Sequence, residues 1–258
     1  DDLGYGDLGC YGQKAIKTPY IDRMADEGMR FTDHYAGSTV CAPSRCCLMT
    51  GLHSGHALVR GNSNVPLRPS DVTVAELLKQ AGYTTGIIGK WHLGSEPFSL
   101  PQHHGFDVNV AGNAHGAPGN YFFPYDGDWK IPTTSLRATW NVLADGKPGE
   151  YLTDRLTDEA VKFIHESRES PFFLYFPHYG VHTPLQAKPE MIAKYEKVPE
   201  AQRQGKPVYA AMVESIDRNL SRTIAALKET GKLEDALILV LSDNGSSAQM
   251  AFDKGRKV

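Results

Sequence analysis

Oxygen- and nitrogen-bearing side chains gather just past three apolar runs of this chain. Residues 84–88 lead into Gly89-Lys90-Trp91-His92. Residues 172–176 lead through Pro177 to His178 and then His182, and residues 236–241 lead to Ser242-Asp243-Asn244-Gly245. If each run is a strand of an open α/β sheet, these groups share one end of it, and ligands of such sheets bind outside the carboxyl ends of the strands. Asp1, Asp2, Asp243 and Asn244 offer oxygen donors only, which suits calcium or magnesium better than a soft metal. Lys90 and His92 are two residues apart and would face the same way on extended backbone, where a cation beside an imidazole suits an anionic group. Each feature also has a plainer reading. Asp-Asn-Gly is ordinary turn chemistry, a terminal acidic pair is usually solvated, and Lys90 could be a surface cation beside a structural His. His182, fixed by Thr183-Pro184, could be a structural loop residue. His178 and His182 would form a metal pair only on a helix, which Pro177 and Pro184 disfavour.

Cys41 sits in Cys41-Ala42-Pro43-Ser44-Arg45, after the small and apolar run 35–40. Pro43 suits the first turn of a helix, which puts Cys41 near a helix N-terminus. There the positive end of the dipole and Arg45 would stabilise an anion. As a plain thiol Cys41 is either a nucleophile or a buried small residue, and the local residues leave both open.

The elements that must position these groups alternate between helix and strand, which favours a mostly parallel sheet sandwiched by helices. Thr18 as N-cap, Pro19 at the first helical position and Gly28 as a stop predict a helix over 19–27. Helices are also predicted over 72–80, over 152–167 with Leu156, Ala160, Phe163 and Ile164 on one face, and over 208–230. Strands are predicted over 84–88, 172–176 and 236–241; the last, Ala-Leu-Ile-Leu-Val-Leu, reads as the most deeply buried. Between 98 and 149 Gly, Pro, Asn, Asp and aromatic residues dominate and no helical period persists. Tyr121, Phe122, Phe123, Tyr125, Trp129 and Trp140 predict an ordered loop region over the site.

Bulk properties exclude several classes. The 258 residues can bury a substantial core as one large domain. A formal charge of −3 without a basic run gives no reason to expect nucleic acid, and no apolar stretch approaches the roughly 20 residues of a membrane span. The four cysteines, Cys10, Cys41, Cys46 and Cys47, are too few for a disulfide scaffold and lack the paired C-x-x-C spacing of structural zinc.

The segment Cys41-Ala42-Pro43-Ser44-Arg45-Cys46-Cys47-Leu48-Met49-Thr50-Gly51 resembles the type I sulfatase signature C-x-P-S-R-x-x-x-L-x-T-G at every fixed position. Asp1-Asp2-Leu3-Gly4-Tyr5-Gly6-Asp7 is similar to that family's first metal-binding segment. Thr18-Pro19-Tyr20-Ile21-Asp22 and Gly28-Met29-Arg30-Phe31-Thr32 resemble the stretch that follows it. Gly89-Lys90-Trp91-His92-Leu93-Gly94, His182-Thr183-Pro184 and Ser242-Asp243-Asn244-Gly245 resemble three further motifs, all in family order.

The resemblance implies an alkaline-phosphatase-like sulfatase N-terminal domain over residues 1–258, with 98–149 shaping the substrate pocket. It also implies that a strand before Asp1 and a smaller C-terminal subdomain are absent, and that the piece alone is poorly stable. Cys41 would be oxidised to Cα-formylglycine by a formylglycine-generating or anaerobic maturation enzyme, and its hydrate would attack a sulfate ester. Asp1, Asp2, Asp243, Asn244 and the residue made from Cys41 would hold calcium, with magnesium second. Arg45 would stabilise the ionised hydrate, Lys90 the sulfate oxygens, His92 the hydrate, and His182 the leaving oxygen. A further lysine is expected at Lys257, with Lys254 as second choice. The implied substrate is a sulfated carbohydrate or an aryl sulfate, the implied location exported. The alternatives are a phosphodiesterase or phosphonate monoester hydrolase of the same superfamily, and a non-catalytic glycan-binding derivative.

Overall fold

The computed structural model describes residues 1–62, 65–130, 137–203 and 205–246. Its centre is a parallel sheet in the order β2-β1-β5, formed by β1 (Thr84–Ile88), β2 (Val108–Val110) and β5 (Phe172–Tyr175). Gly86 of β1 is in register with Val108 on one side and Leu174 on the other. The central strand is buried on both faces, as expected of a parallel strand covered by helices.

Side chains alternate across that strand. Gly86 and Ile88 face α4 (Leu152–Glu166) and α6 (Pro207–Glu229), where Phe163 lies against Gly86 so closely that a Cβ there would come within 2.6 Å of its ring. Ile87 points the other way, into a cluster with Trp91, Phe106, Ala75 of α3 (Val74–Gln80) and Cys46 of α2 (Cys41–Thr50). Helices thus cover both faces, and the α/β reading of the sequence holds. Thr73 and Glu76 close a reciprocal capping box at the start of α3, with Glu76 Oε2 accepting from Thr73 N at 2.8 Å. Such a cap is worth about 1 kcal/mol, and it starts the helix two residues later than the sequence pattern predicts.

Helix α1 (Pro19–Glu27) has the predicted N-cap Thr18, but Thr18 makes no capping hydrogen bond. Its hydroxyl accepts from Gly9 N and donates to Asp22, while the orphan amides of Tyr20 and Ile21 donate to Asp217 Oδ1 of α6 at 3.0 and 2.8 Å. The cap is supplied by tertiary structure.

Two expectations need correction. Residues 236–241 pair with no strand among the described residues. Ala236 and Ile238 pack on the cluster of Ile164, Ala226 and Leu227, but Leu237 is 85% and Leu239 69% exposed. An apolar strand is buried on both faces only with a neighbour on its edge and a layer on each side; here one side is covered. Within 98–149, β2 belongs to the central sheet, and β3 (Gly127–Lys130) pairs antiparallel with β4 (Arg137–Trp140). A three-residue strand, Val-Asn-Val, is too short to announce itself by periodicity. Tyr121 and Tyr125 lie in the main core beside Tyr151, so neither lines an open pocket. No described helix is long and apolar enough to cross a membrane.

Candidate active site

Helix α2 begins at Cys41, with Val40 as an extended N-cap that offers no side-chain acceptor. Pro43 is tolerated because amides of a first turn have no intrahelical partner. Asn62 Oδ1 accepts from Ala42 N at 2.9 Å, replacing the missing local cap. Cys41 is buried, and the first turn carries no acidic residue to quench the positive end of the helix.

One turn further, Arg45 occupies the same helical face as Cys41 and is 2% exposed. Its Nη2 donates to Asp243 Oδ2 at 2.9 Å and lies 3.7 Å from Asp1 Oδ1, and its Nη1 donates to Lys90 O at 2.9 Å and to Tyr175 Oη at 3.3 Å. Ser44 Oγ donates to Asp243 O. Burial opposes the Arg45 charge, but Tyr175, Asp243 and Cys41 beside it raise its pKa above the ordinary value. Burial likewise opposes ionisation of Asp243, yet Arg45 and Lys90 hold its carboxyl well below the usual range.

At the end of β1 the chain turns through Gly89 at φ 124°, where a Cβ would sit 2.0 Å from Pro177 O. Only glycine allows this approach, and it delivers Lys90 N to Pro177 O at 2.8 Å. Lys90 is fully buried and its Nζ pairs with Asp1 Oδ2. Burial and the nearby Arg45 bring its pKa down to about 8.

His92 reaches the site by another route than the sequence suggests. Its φ is 59°, so the chain is not extended there, and its amide donates to Asn113 O at 2.9 Å. A Cβ on Gly116 would fall within 2.5 Å of its ring, so the 98–149 region closes directly over this imidazole. Burial, then Lys90, Arg45 and His182, push its pKa down to about 3, making it a neutral ring at working pH.

His182 is held after β5 by its own amide on Tyr179 O, and Tyr121 Oη donates to its carbonyl at 2.9 Å. Its Nδ1 is 2.9 Å from Thr183 O, a carbonyl that can only accept, which assigns the proton to Nδ1. The other nitrogen, Nε2, lies 3.4 Å from Asp2 Oδ2. Burial and Lys90 lower its pKa, with Thr183 O and Asp2 acting in the opposite sense. His178 stands apart: its ring packs on Phe176 at 4.2 Å, burial pushes its pKa to about 3, and it belongs to neither metal-competent cluster among the described residues.

The acidic residues converge from opposite ends of the chain. Val181 N donates to Asp1 O at 2.8 Å, aligning Asp1 with the loop after β5. Asp2 adopts φ 58°, a left-handed conformation that Asp tolerates better than most residues. Its amide lies 3.3 Å from Asp243 Oδ1, and Asn244 Nδ2 donates to Asp2 Oδ1 at 2.7 Å. Carboxylate oxygens of Asp1, Asp2 and Asp243 lie within 4.8 Å of one another, and Asp1, Cys41 and His182 form a second such group. Asp1 therefore joins the nucleophile position to the acidic cradle.

Buried Asp1 Oδ1, Asp2 Oδ2 and Asn244 Oδ1 have no hydrogen-bond partner among the described residues. Unpaired buried oxygens are costly, and an all-oxygen donor set facing two cationic side chains with three carboxylates fits a hard divalent ion. The donor set thus fits calcium or magnesium.

Sequence reading names Cys41, Arg45, Lys90, His92, His182, Asp1, Asp2, Asp243 and Asn244, and the fold brings all nine to one place. Lys254 and Lys257 lie outside the described residues. Sequence reading gives no individual role to Ser44, Asn62, Tyr175 or Asn113, which hold the site through single long-range hydrogen bonds, and names Tyr121 only among the aromatics of the loop region; Ser44 and Tyr175 carry a signal as well, one inside the Cys41 segment and one at a strand end.

A family model described as Sulfatase matches residues 1–257. N-acetylgalactosamine-6-sulfatase of Mus musculus is 33% identical over 278 residues, covering 99% of this chain and 51% of its own length. Steryl-sulfatase of Mus musculus is 31% identical over 333 residues, covering 100% of this chain and 52% of its own. The crystal structure of Ps i-CgsB in complex with k-i-k-neocarrahexaose superposes with a TM-score of 0.73 at 32% identity, covering 90% of this chain and 54% of that one. The chain spans about half the length of the curated relatives it matches.

Proposed function

Because the chain belongs to the sulfatase family, we propose that it supplies the catalytic centre of a sulfate-ester hydrolase. The observation that carries this reading is the position of Cys41: first residue of α2, buried, and sharing Asp1 with the acidic cradle. Asp1, Asp2, Asp243 and Asn244 hold calcium, with magnesium the second choice, together with the residue made from Cys41. When bound, the ion supplies positive charge that favours the ionised nucleophile and polarises sulfate oxygens. Matured to formylglycine by a dedicated oxidising enzyme, position 41 offers a gem-diol, one oxygen to attack and a second to release sulfate.

The remaining work falls to side chains already in place. Arg45 neutralises Asp243 and keeps positive charge beside position 41. Lys90, at a pKa near 8, is largely charged at neutral pH and takes over sulfate oxygens as a point charge. His92, a half-buried neutral ring, exchanges a hydrogen bond with the nucleophile. His182 keeps its Nδ1 proton on Thr183 O, so Nε2 is the nitrogen left for the leaving oxygen; it gives up a proton there only from the imidazolium form, which Asp2 Oδ2 at 3.4 Å favours, and the ring returns to its neutral Nδ1–H form. Burial of Cys41, Arg45 and Lys90 excludes water and strengthens each electrostatic contact. Lys257 is proposed as a further sulfate contact.

The substrate is a sulfated carbohydrate, in keeping with the relative called N-acetylgalactosamine-6-sulfatase and the neighbour solved in complex with k-i-k-neocarrahexaose. The pocket is shaped by 98–149, whose Gly116 touches His92. Export from the cytosol is proposed on the same relatives. The test is hydrolysis of an aryl sulfate, its phosphate and phosphonate analogues, and a panel of defined sulfated saccharides by the matured protein and Cys41→Ala. Sulfate release that vanishes in Cys41→Ala, with a peptide about 18 Da lighter than the cysteine form, supports the reading. Preference for phosphate or phosphonate esters favours the phosphohydrolase alternative, and saccharide binding without turnover favours a non-catalytic derivative.

A further inference from the structure

The two halves of the cradle, Asp1–Asp2 and Asp243–Asn244, are joined directly by contacts that the ligand groups themselves make. A cation competes for those same oxygens, so these contacts are poor at holding the cradle in shape while it binds. A third link uses none of them. Tyr209, near the start of α6, buries its ring in the main core and presents its hydroxyl between the two segments. Tyr209 Oη donates to Asp7 Oδ2 at 2.5 Å, lies 3.2 Å from Ser246 Oγ, and is 3.4 Å from Asp2 O. With its single proton on Asp7, it accepts from the Ser246 hydroxyl. Asp7 Oδ2 in turn accepts from Gly4 N at 2.7 Å. Contact here is tight: a Cβ on Gly4 would lie 2.7 Å from Asp7 Oδ2 and 3.0 Å from Ser246 Cβ.

We propose that Tyr209 is a positioning residue for the cation: its hydroxyl ties Asp7, five residues beyond Asp2, to Ser246, two residues beyond Asn244, fixing the cradle before the ion arrives. This rests on the reading of that cradle as the calcium site. Outer partners of this kind are worth roughly 10–100-fold in metal affinity, because a cradle that must be ordered on binding gives up part of its binding energy to that ordering.

The test is calorimetric titration of calcium chloride into chelator-stripped wild-type protein, Tyr209→Phe and Ser246→Ala. The expected result is a calcium Kd raised about 10–100-fold in Tyr209→Phe and about 2–10-fold in Ser246→Ala, the loss of one neutral hydrogen bond. Turnover of Tyr209→Phe recovers at saturating calcium. A hydroxyl with a purely structural role lowers the calcium-free melting temperature and leaves the Kd within twofold, and that result overturns the proposal. Ser246 is exposed, so its variant is read even if Tyr209→Phe unfolds, and an unchanged Kd there also counts against the link. No calcium uptake by wild-type protein sinks the cation reading itself, and this inference with it.

Discussion

Replacing Arg45 by methionine removes the charge while keeping most of the side-chain volume. The buried guanidinium loses a charge-assisted bond to Asp243 at 2.9 Å, a bond to the Lys90 carbonyl at 2.9 Å and a weak one to Tyr175 at 3.3 Å. The first is worth about 1.5–3 kcal/mol and the second about 1 kcal/mol. Asp243 then stays buried with Lys90 as the remaining cationic side chain near the acidic cluster, and breaking a buried ion pair from one side costs about 3–5 kcal/mol in total. At about 2–4 °C per kcal/mol for a chain of this size, the calcium-free protein should melt roughly 6–20 °C lower. Adding Asp243→Asn removes the stranded charge, so the double variant should recover part of that loss. A double-mutant cycle by urea unfolding in chelator should return a coupling of about 2 kcal/mol between positions 45 and 243. A coupling below about 0.5 kcal/mol, the usual limit of additivity for independent sites, would refute the view that Arg45 holds Asp243 in place.

Asp217 gives a pH prediction. Burial, against hydrogen bonds from Ile21 and Tyr20 and reinforced by Asp22 and Glu214, raises its carboxyl to about 6. The folded protein therefore holds that proton more tightly than the unfolded chain does, and stability falls as pH rises from about 4 to about 6. A rise of about two pKa units corresponds to about 3 kcal/mol. Asp217→Asn keeps an acceptor for Tyr20 and Ile21 and should be more stable than wild type at pH 7 but not near pH 4; a difference independent of pH refutes the cause. Calcium at about 100 times its Kd should stabilise wild-type protein by about 2.7 kcal/mol, a gain that chelation reverses and Asp2→Asn abolishes. Identical melting curves with calcium and with chelator would overturn the cradle assignment.

The elements legible in the sequence are those with a strong local period or a full set of punctuation. Helix α4 has a clean apolar face, α6 ends at Thr230-Gly231, and β1 and β5 are compact apolar runs between turn residues. The strand expected at 236–241 failed because composition reports how apolar a segment is, whereas its burial depends on what lies beside it. Strand β2 was hidden by its length, and the left-handed turn at His92 by the lack of any glycine at that position.

By itself the sequence determined which chemical groups are available and where several elements begin: Cys41 at the head of a helix with Arg45 one turn on, Lys90 after β1, His182 after β5, the acidic pair Asp1-Asp2 and the acid–amide pair Asp243-Asn244. Only the tertiary structure decided that Asp2 bonds Asn244 across 242 positions, that Asp1 stands between Cys41 and the acidic cradle, and that Asp217 caps α1. Helix starts and glycine turns follow from steric and hydrogen-bonding preferences a few residues long. Contacts between distant segments depend on how whole layers pack, and a local pattern carries no record of its partner.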